Sequence, residues 1–176
     1  MEEKAKKELI AMLKDCKALK FGKFKLTSGK ESNYYVDIKL AITKPEILDK
    51  IGEMIAALVS TEKLIAGMEL GAVPIVVAVS LKTSKPFLII RKNHREHGTM
   101  KQIEGEFSAG DEVFLVEDVC TTGGTLLKSV EILRNAGCVV KRATVVVDRE
   151  EGGREALASC GVELFSLLKA SELKED

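Results

Sequence analysis

No proline-, glycine- or serine-rich run interrupts the 176 residues of this chain, and that length suffices for one well-buried core. A single domain is expected, with an N-terminal hood element over about residues 1–43 and a core over about 44–176. Charge of one sign is not in excess: Lys and Arg number 27, as do Asp and Glu, which argues against a general nucleic-acid coating role. The four cysteines, at 16, 120, 138 and 160, include no CxxC pair. This spacing argues against a zinc ribbon and fits a reduced, cytoplasmic chain with small core cysteines. Long apolar runs are missing too, so nothing reads as a bilayer span. The N-terminus, MEEKAKKELIAMLKD, is charged from its second residue and has no apolar h-region, unlike a secretory signal. Internal repeats and low-complexity tracts are not apparent.

What is present is an alternation of two patterns. Leu9, Met12, Leu13 and Cys16 recur at helical spacing, with acids early and lysines late, as the helix dipole favours. FGKFKLTSGKESNYYVDIK carries a turn-prone SGKES between two segments that can pair as strands, a hairpin-like element outside the main sheet. Pro45 suits a first helical turn, and Ile47, Ile51, Met54, Ile55 and Leu58 mark the buried face of that helix. KLIAG, PFLIIR, EVFLVED, VVKRATVVVD and VELFSLL then read as short buried strands. Between them AVPIVVAVSLK, TLLKSVEILRNAG and GREALASCG read as helices. Continuous apolar strands alternating with helices predict an α/β, doubly wound, mostly parallel sheet with helices on both faces. Ligands of such folds bind at the carboxyl ends of the strands.

One strand end carries chemistry. VFLVEDVCTTGGTLLKSV places Glu117 and Asp118 side by side at the close of an apolar run, directly ahead of Thr121, Thr122, Gly123, Gly124 and Thr125. The glycines permit a turn whose N–H groups converge, and the following helix adds its positive end, which suits a phosphate monoester. Three hydroxyls can join that cradle without adding charge. The acids would repel a phosphate, so they should face another part of the ligand, and two carboxylates can accept the two O–H donors of a vicinal diol. Phosphate plus diol describes a ribose 5-phosphate. A Walker A loop is excluded because Leu127, not Gly, precedes Lys128, and GxGxxG is absent. An ordinary strand-to-helix turn capped by Thr would explain one hydroxyl, but not the acids or the other threonines.

This stretch resembles the phosphoribosyl diphosphate (PRPP) motif of type I phosphoribosyltransferases, with Glu117 where Asp is more usual. Three further stretches resemble orotate phosphoribosyltransferases, and together the matches cover nearly the whole chain. FKLTSGKESNYYVD is similar to that family's N-terminal segment, with Thr27 where many members carry Lys and with Lys30 nearby. RKNHREHG resembles its mobile catalytic loop, Arg91, Lys92, His97 and Gly98 matching and Arg95 standing for a second lysine. VVVDREEGG resembles the strand end whose arginine, here Arg149, grips the orotate carboxylate, a task that suits a planar bidentate guanidinium. Beside these three, GMELGAVP resembles the family's pyrophosphate loop, with Gly71 where some members have lysine.

The resemblance implies transfer of ribose 5-phosphate from PRPP to orotate, giving orotidine 5′-monophosphate and diphosphate. It implies Lys92, Arg95 and His97 as catalytic residues. PRPP contacts would come from Arg91, Lys92, Arg95, His97 and the run Glu117, Asp118, Val119, Cys120, Thr121, Thr122, Gly123, Gly124 and Thr125; Thr121 and Arg149 would hold orotate. It also implies Mg²⁺ held mainly by the diphosphate rather than by the protein, and a homodimer in which each loop closes over the neighbouring site. His94 and His97 could be read as metal ligands, but the surrounding Arg and Lys would repel a dication. Two other readings stand beside this one. A uracil or purine transferase would share the PRPP motif but not Arg149 or the Ser-Gly-Lys segment; a PRPP-sensing nucleic-acid regulator would need a basic extension that the sequence lacks.

Overall fold

The computed structural model describes residues 2–25, 31–92 and 102–173. In chain order the elements are α1 (Glu2–Asp15), β1 (Leu19–Lys25), β2 (Glu31–Val36), α2 (Ile38–Ala41), α3 (Pro45–Ala56), β3 (Leu64–Met68), α4 (Ala72–Thr83) and β4 (Phe87–Ile90). They continue with β5 (Ile103–Glu104), β6 (Glu112–Cys120), α5 (Gly124–Asn135), β7 (Val139–Asp148), α6 (Gly153–Ser159), β8 (Glu163–Lys169) and a 3₁₀ turn over Ala170–Glu172. β1 and β2 form an antiparallel pair of their own, and the other six strands form one sheet in the order β5-β4-β3-β6-β7-β8. All neighbours in that sheet run parallel except β5 against β4. The expected doubly wound α/β architecture is therefore present.

Strand alternation divides the core in two. Ile65, Phe114 and Val116 face a layer built from Leu9, Leu13, Ile51, Ile55, Ile75 and Val79 of α1, α3 and α4. Leu64, Ala66 and Leu115 face Leu126, Val130, Leu133 and Leu157 of α5 and α6. Each fully buried Ile or Leu contributes about 1.5–3 kcal/mol. That packing makes a helix of the valine-rich α4, where Ala72, Ile75, Val76, Ala78 and Val79 are all buried, against a weak local propensity. At the amino end of the sheet Arg142 lies between the rings of Phe114 and Phe165, 5.4 and 4.8 Å from their centroids, and pairs with the buried Glu62 at 2.8 Å.

Two expectations need correction. The segment through Lys39 does not continue as a strand. β2 stops at Val36 because the Asp37 carboxylate accepts the Leu40 N–H at 3.0 Å, a local cap that starts α2 in place of further ladder bonds. The antiparallel edge strand β5 was not foreseen, since two residues are too few to show an alternation. The chain leaves β3 toward β4 on one side and returns through β6 toward β7 and β8 on the other. The carboxyl ends of β3 and β6 thus adjoin at a switch point, where open α/β sheets form their ligand crevice.

Candidate active site

β6 delivers the acids to this crevice. Glu117 and Asp118 are buried, Asp118 Oδ1 accepts the Val119 N–H at 2.8 Å, and Glu117 Oε1 accepts the Asp118 N–H at 2.9 Å. Burial, followed by the neighbouring Asp118 charge, pushes the Glu117 carboxyl from 4.5 up to about 8. The raised value favours the protonated form of Glu117 near neutrality, a property that its place in the sequence does not show. Asp118 Oδ2 is met at 3.0 Å by Lys39 Nζ, a partner from α2 that no motif suggested. The loop after β3 presses on the same carboxylate: a Cβ on Gly71 would meet Asp118 Oδ2 and would stand 2.8 Å from Asp118 Cγ. Glycine at 71 is what lets the loop and the acid share this space.

Beyond the acids, Thr121, Thr122, Gly124 and Thr125 are exposed and Gly123 is buried. Gly123 itself is the N-cap of α5, at φ 84°, and no side chain caps that helix. The threonines are thus not spent on an ordinary capped turn, and the helix N–H groups stay open to an anion. Only glycine suits Gly123, where a Cβ would also stand 3.1 Å from Leu157 and 3.2 Å from Gly153 Cα. Cys120 contributes backbone rather than thiol. Its side chain is buried, and burial pushes the thiol up to about 11, so it is no nucleophile at neutral pH.

The Cys120 carbonyl instead accepts the Arg149 N–H at 2.8 Å, which joins the end of β7 to the threonine loop. Arg149 Cζ lies 5.0 Å from the Tyr34 ring centroid, a cation–π contact reaching into the hood. Its Nε stands 3.1 Å from Glu151 Oε1, yet this buried nitrogen makes no aligned hydrogen bond. A guanidinium carries five N–H donors in a planar fork, so a carboxylate can join Glu151 on it. Tyr34 lies in the NYYVD run of the hairpin-like segment, but its contact with Arg149 connects residues 115 positions apart, and spacing gives no sign of it.

The cationic loop meets this site at its root. The Lys92 N–H donates to Glu69 Oε1 at 2.9 Å, the Lys92 carbonyl accepts from Lys128 Nζ at 2.9 Å, and Arg91 Nη1 pairs with Glu104 at 3.3 Å. Glu69, from the loop after β3, and Lys128, from α5, thereby fix where the segment leaves β4. His94, Arg95, His97 and Gly98 lie outside the described residues, as do Thr27 and Lys30. Among the described residues no cluster of three or more His, Cys, Asp or Glu could hold a metal ion.

Residues 40–167 match the model of the phosphoribosyl transferase domain. The orotate phosphoribosyltransferase of Picrophilus torridus is 55% identical over 157 residues, 89% of this chain and 94% of that one. The crystal structure of the orotate phosphoribosyltransferase from Aeropyrum pernix superposes with a TM-score of 0.85 at 32% identity, covering 94% of this chain and 95% of that one. That of the Mycobacterium tuberculosis orotate phosphoribosyltransferase in complex with PRPP gives 0.79 at 28% identity, over 96% and 98%. On fold, crevice and likeness together, this chain belongs to the phosphoribosyltransferase family and, within it, to the orotate phosphoribosyltransferases.

Proposed function

We propose that the protein transfers the 5-phosphoribosyl group of PRPP to orotate, releasing diphosphate and forming orotidine 5′-monophosphate in pyrimidine biosynthesis. One observation carries this reading most directly: the backbone Arg149 N–H bond to the Cys120 carbonyl joins the strand end that bears this guanidinium to an uncapped, threonine-lined helix N-terminus. A 5-phosphate on the loop Thr121–Thr125 and an anionic base on Arg149 then flank one ribose, whose hydroxyls meet Asp118 and protonated Glu117. A ring nitrogen of orotate bonds to the anomeric carbon as the C–O bond to diphosphate breaks; the leaving oxygen takes the electron pair, and the proton of that ring N–H passes to solvent. Positive charge grows on the ribose and negative charge on the diphosphate. Holding both ends rigidly, with the charge of Lys92, Arg95 and His97 assigned to the leaving group, is catalysis by positioning and electrostatics.

Mg²⁺ prefers oxygen ligands and would supply charge neutralisation on the diphosphate. Asp118 is ion-paired to Lys39 and Glu117 favours its protonated form, so the diphosphate would hold the ion mainly by its own oxygens. The protein works as a cytoplasmic homodimer whose loops act in trans; no helix among the described residues is long and apolar enough to cross a membrane.

Two experiments test this. Product formation from PRPP is compared with orotate, uracil, hypoxanthine, guanine and adenine; activity on a purine but not on orotate overturns the assignment. For the shared site, inactive Arg95→Ala and Arg149→Ala subunits are exchanged. Random mixing makes about half the dimers hybrid with one intact site each, so roughly a quarter of full activity should return. Confirmed exchange without recovery places the loop in cis.

A further inference from the structure

Lys39 is paired with Asp118 in the site, but the reading above assigns it no contact with substrate. Its placement is built rather than incidental to a mobile surface. Ile38 and Ala41 are buried and hold the single turn of α2 against the core, Asp37 caps that turn, and Lys39 is carried between them with its side chain about two-thirds exposed. An ion pair with so exposed a partner adds little to stability, on the order of 0–1 kcal/mol, so the fold alone does not explain it.

The position is informative because Asp118 Oδ2 has two neighbours. On one flank is the Lys39 ammonium at 3.0 Å; on the other is Gly71, close enough that a Cβ there would strike the same oxygen. Lys39 therefore stands where the acid meets the loop after β3. That loop has no cation of its own: residues 69–71 are Glu, Leu and Gly, and Glu69 is engaged with the Lys92 N–H. A diphosphate reaching this loop would meet the charge of Glu69 and of Asp118, and residues 69–71 themselves could answer it only with backbone N–H groups. Lys39 is the described cation already seated there. The Asp118 hydrogen bond, then the Asp118 charge, raise its ammonium above the ordinary lysine range, so it stays charged throughout the neutral region. Asp118 occupies one of the three donors of that ammonium.

We propose that Lys39 is a further PRPP-binding residue whose ammonium bridges Asp118 and the diphosphate group, tying the N-terminal element to the leaving-group end of the substrate. This rests on the PRPP reading, and direct binding separates the two. Inorganic diphosphate and ribose 5-phosphate, each with Mg²⁺, are titrated calorimetrically into the unmutated protein, Lys39→Gln and Lys39→Arg. Lys39→Gln should weaken diphosphate about tenfold or more, the loss of one charge-assisted hydrogen bond, and ribose 5-phosphate by less than about threefold. Lys39→Arg should restore most of the diphosphate affinity, and the KM for PRPP should follow the same order while that for orotate stays level. Unchanged diphosphate binding in Lys39→Gln would reduce the contact to a surface ion pair and refute the proposal. Equal losses on both ligands would also refute it, leaving Lys39 to hold Asp118 alone. Absence of orotate-dependent turnover in the unmutated protein would sink the functional reading instead, while the diphosphate titration still judges Lys39.

Discussion

Replacing Glu117 with Gln converts the buried proton of the acid pair into a measurable slope. Glu117 is buried, lies against Asp118, and has its carboxyl raised from 4.5 to about 8. A carboxyl with a raised folded-state value favours the folded protein fully below about 4.5, where both states are protonated. As pH rises the unfolded chain releases its proton first, and the contribution is lost until the folded carboxyl also ionises near 8. The gap between 4.5 and about 8 corresponds to at most about 5 kcal/mol, and since the proton belongs to the pair with Asp118 the ceiling is shared. Gln keeps the shape and cannot ionise. Urea unfolding of both proteins at pH 5, 7 and 9, at one protein concentration, should therefore give curves that nearly coincide at pH 5. They should diverge with rising pH, Glu117→Gln becoming the more stable by several kcal/mol at pH 9. All other titrating groups are common to both proteins, so the difference isolates this one. Stabilities that stay parallel from pH 5 to pH 9 would mean that Glu117 is already ionised at neutrality and that the acids form a dianionic pair.

Arg149→Lys keeps the charge but loses the fork and the stacking on Tyr34, so the KM for orotate should rise at least about tenfold with a smaller change for PRPP; equal effects in steady-state kinetics would make Arg149 structural. Gly71→Ala has a backbone angle, φ −62°, that alanine accepts, so its whole cost is the collision with the Asp118 carboxylate. We expect kcat/KM for PRPP to fall about tenfold or more with a melting temperature lowered only modestly, and an unchanged kcat/KM would show that the loop moves aside freely. Arg95→Lys should remain active and Arg95→Ala should be severely impaired in the same assay, since diphosphate accepts either cation; an active Ala variant would move the charge to Lys92 or His97.

The sheet was readable because its strands are buried on both faces, so KLIAG, VFLV and VVVD stand out as unbroken apolar runs. The loop after β6 stands out in the sequence because adjacent acids and three threonines around two glycines have no packing explanation. What escaped is tertiary. α2 is one turn whose start depends on an Asp37 side-chain bond, and in the letters it continues a strand. Lys39 and Asp118 are 79 positions apart, and Gly71 looks like any turn glycine until the Asp118 carboxylate is placed against it. The proton on Glu117 is a property of its surroundings, not of its identity.

The single hydrogen bond from the Arg149 N–H to the Cys120 carbonyl has an evolutionary reading. It ties two stretches of chain that belong to separate strand ends, held at a fixed spacing by the parallel register of Cys120 with Asp148. In the proposed reaction one stretch grips the sugar phosphate and the other the base. Side chains in the Arg149–Gly153 turn can therefore be exchanged without disturbing the threonine loop, provided the backbone tether and the glycine contact beneath it survive. A change of nucleobase would be a local edit at one strand end, whereas a change of sugar donor would require rebuilding the crevice shared by β3 and β6.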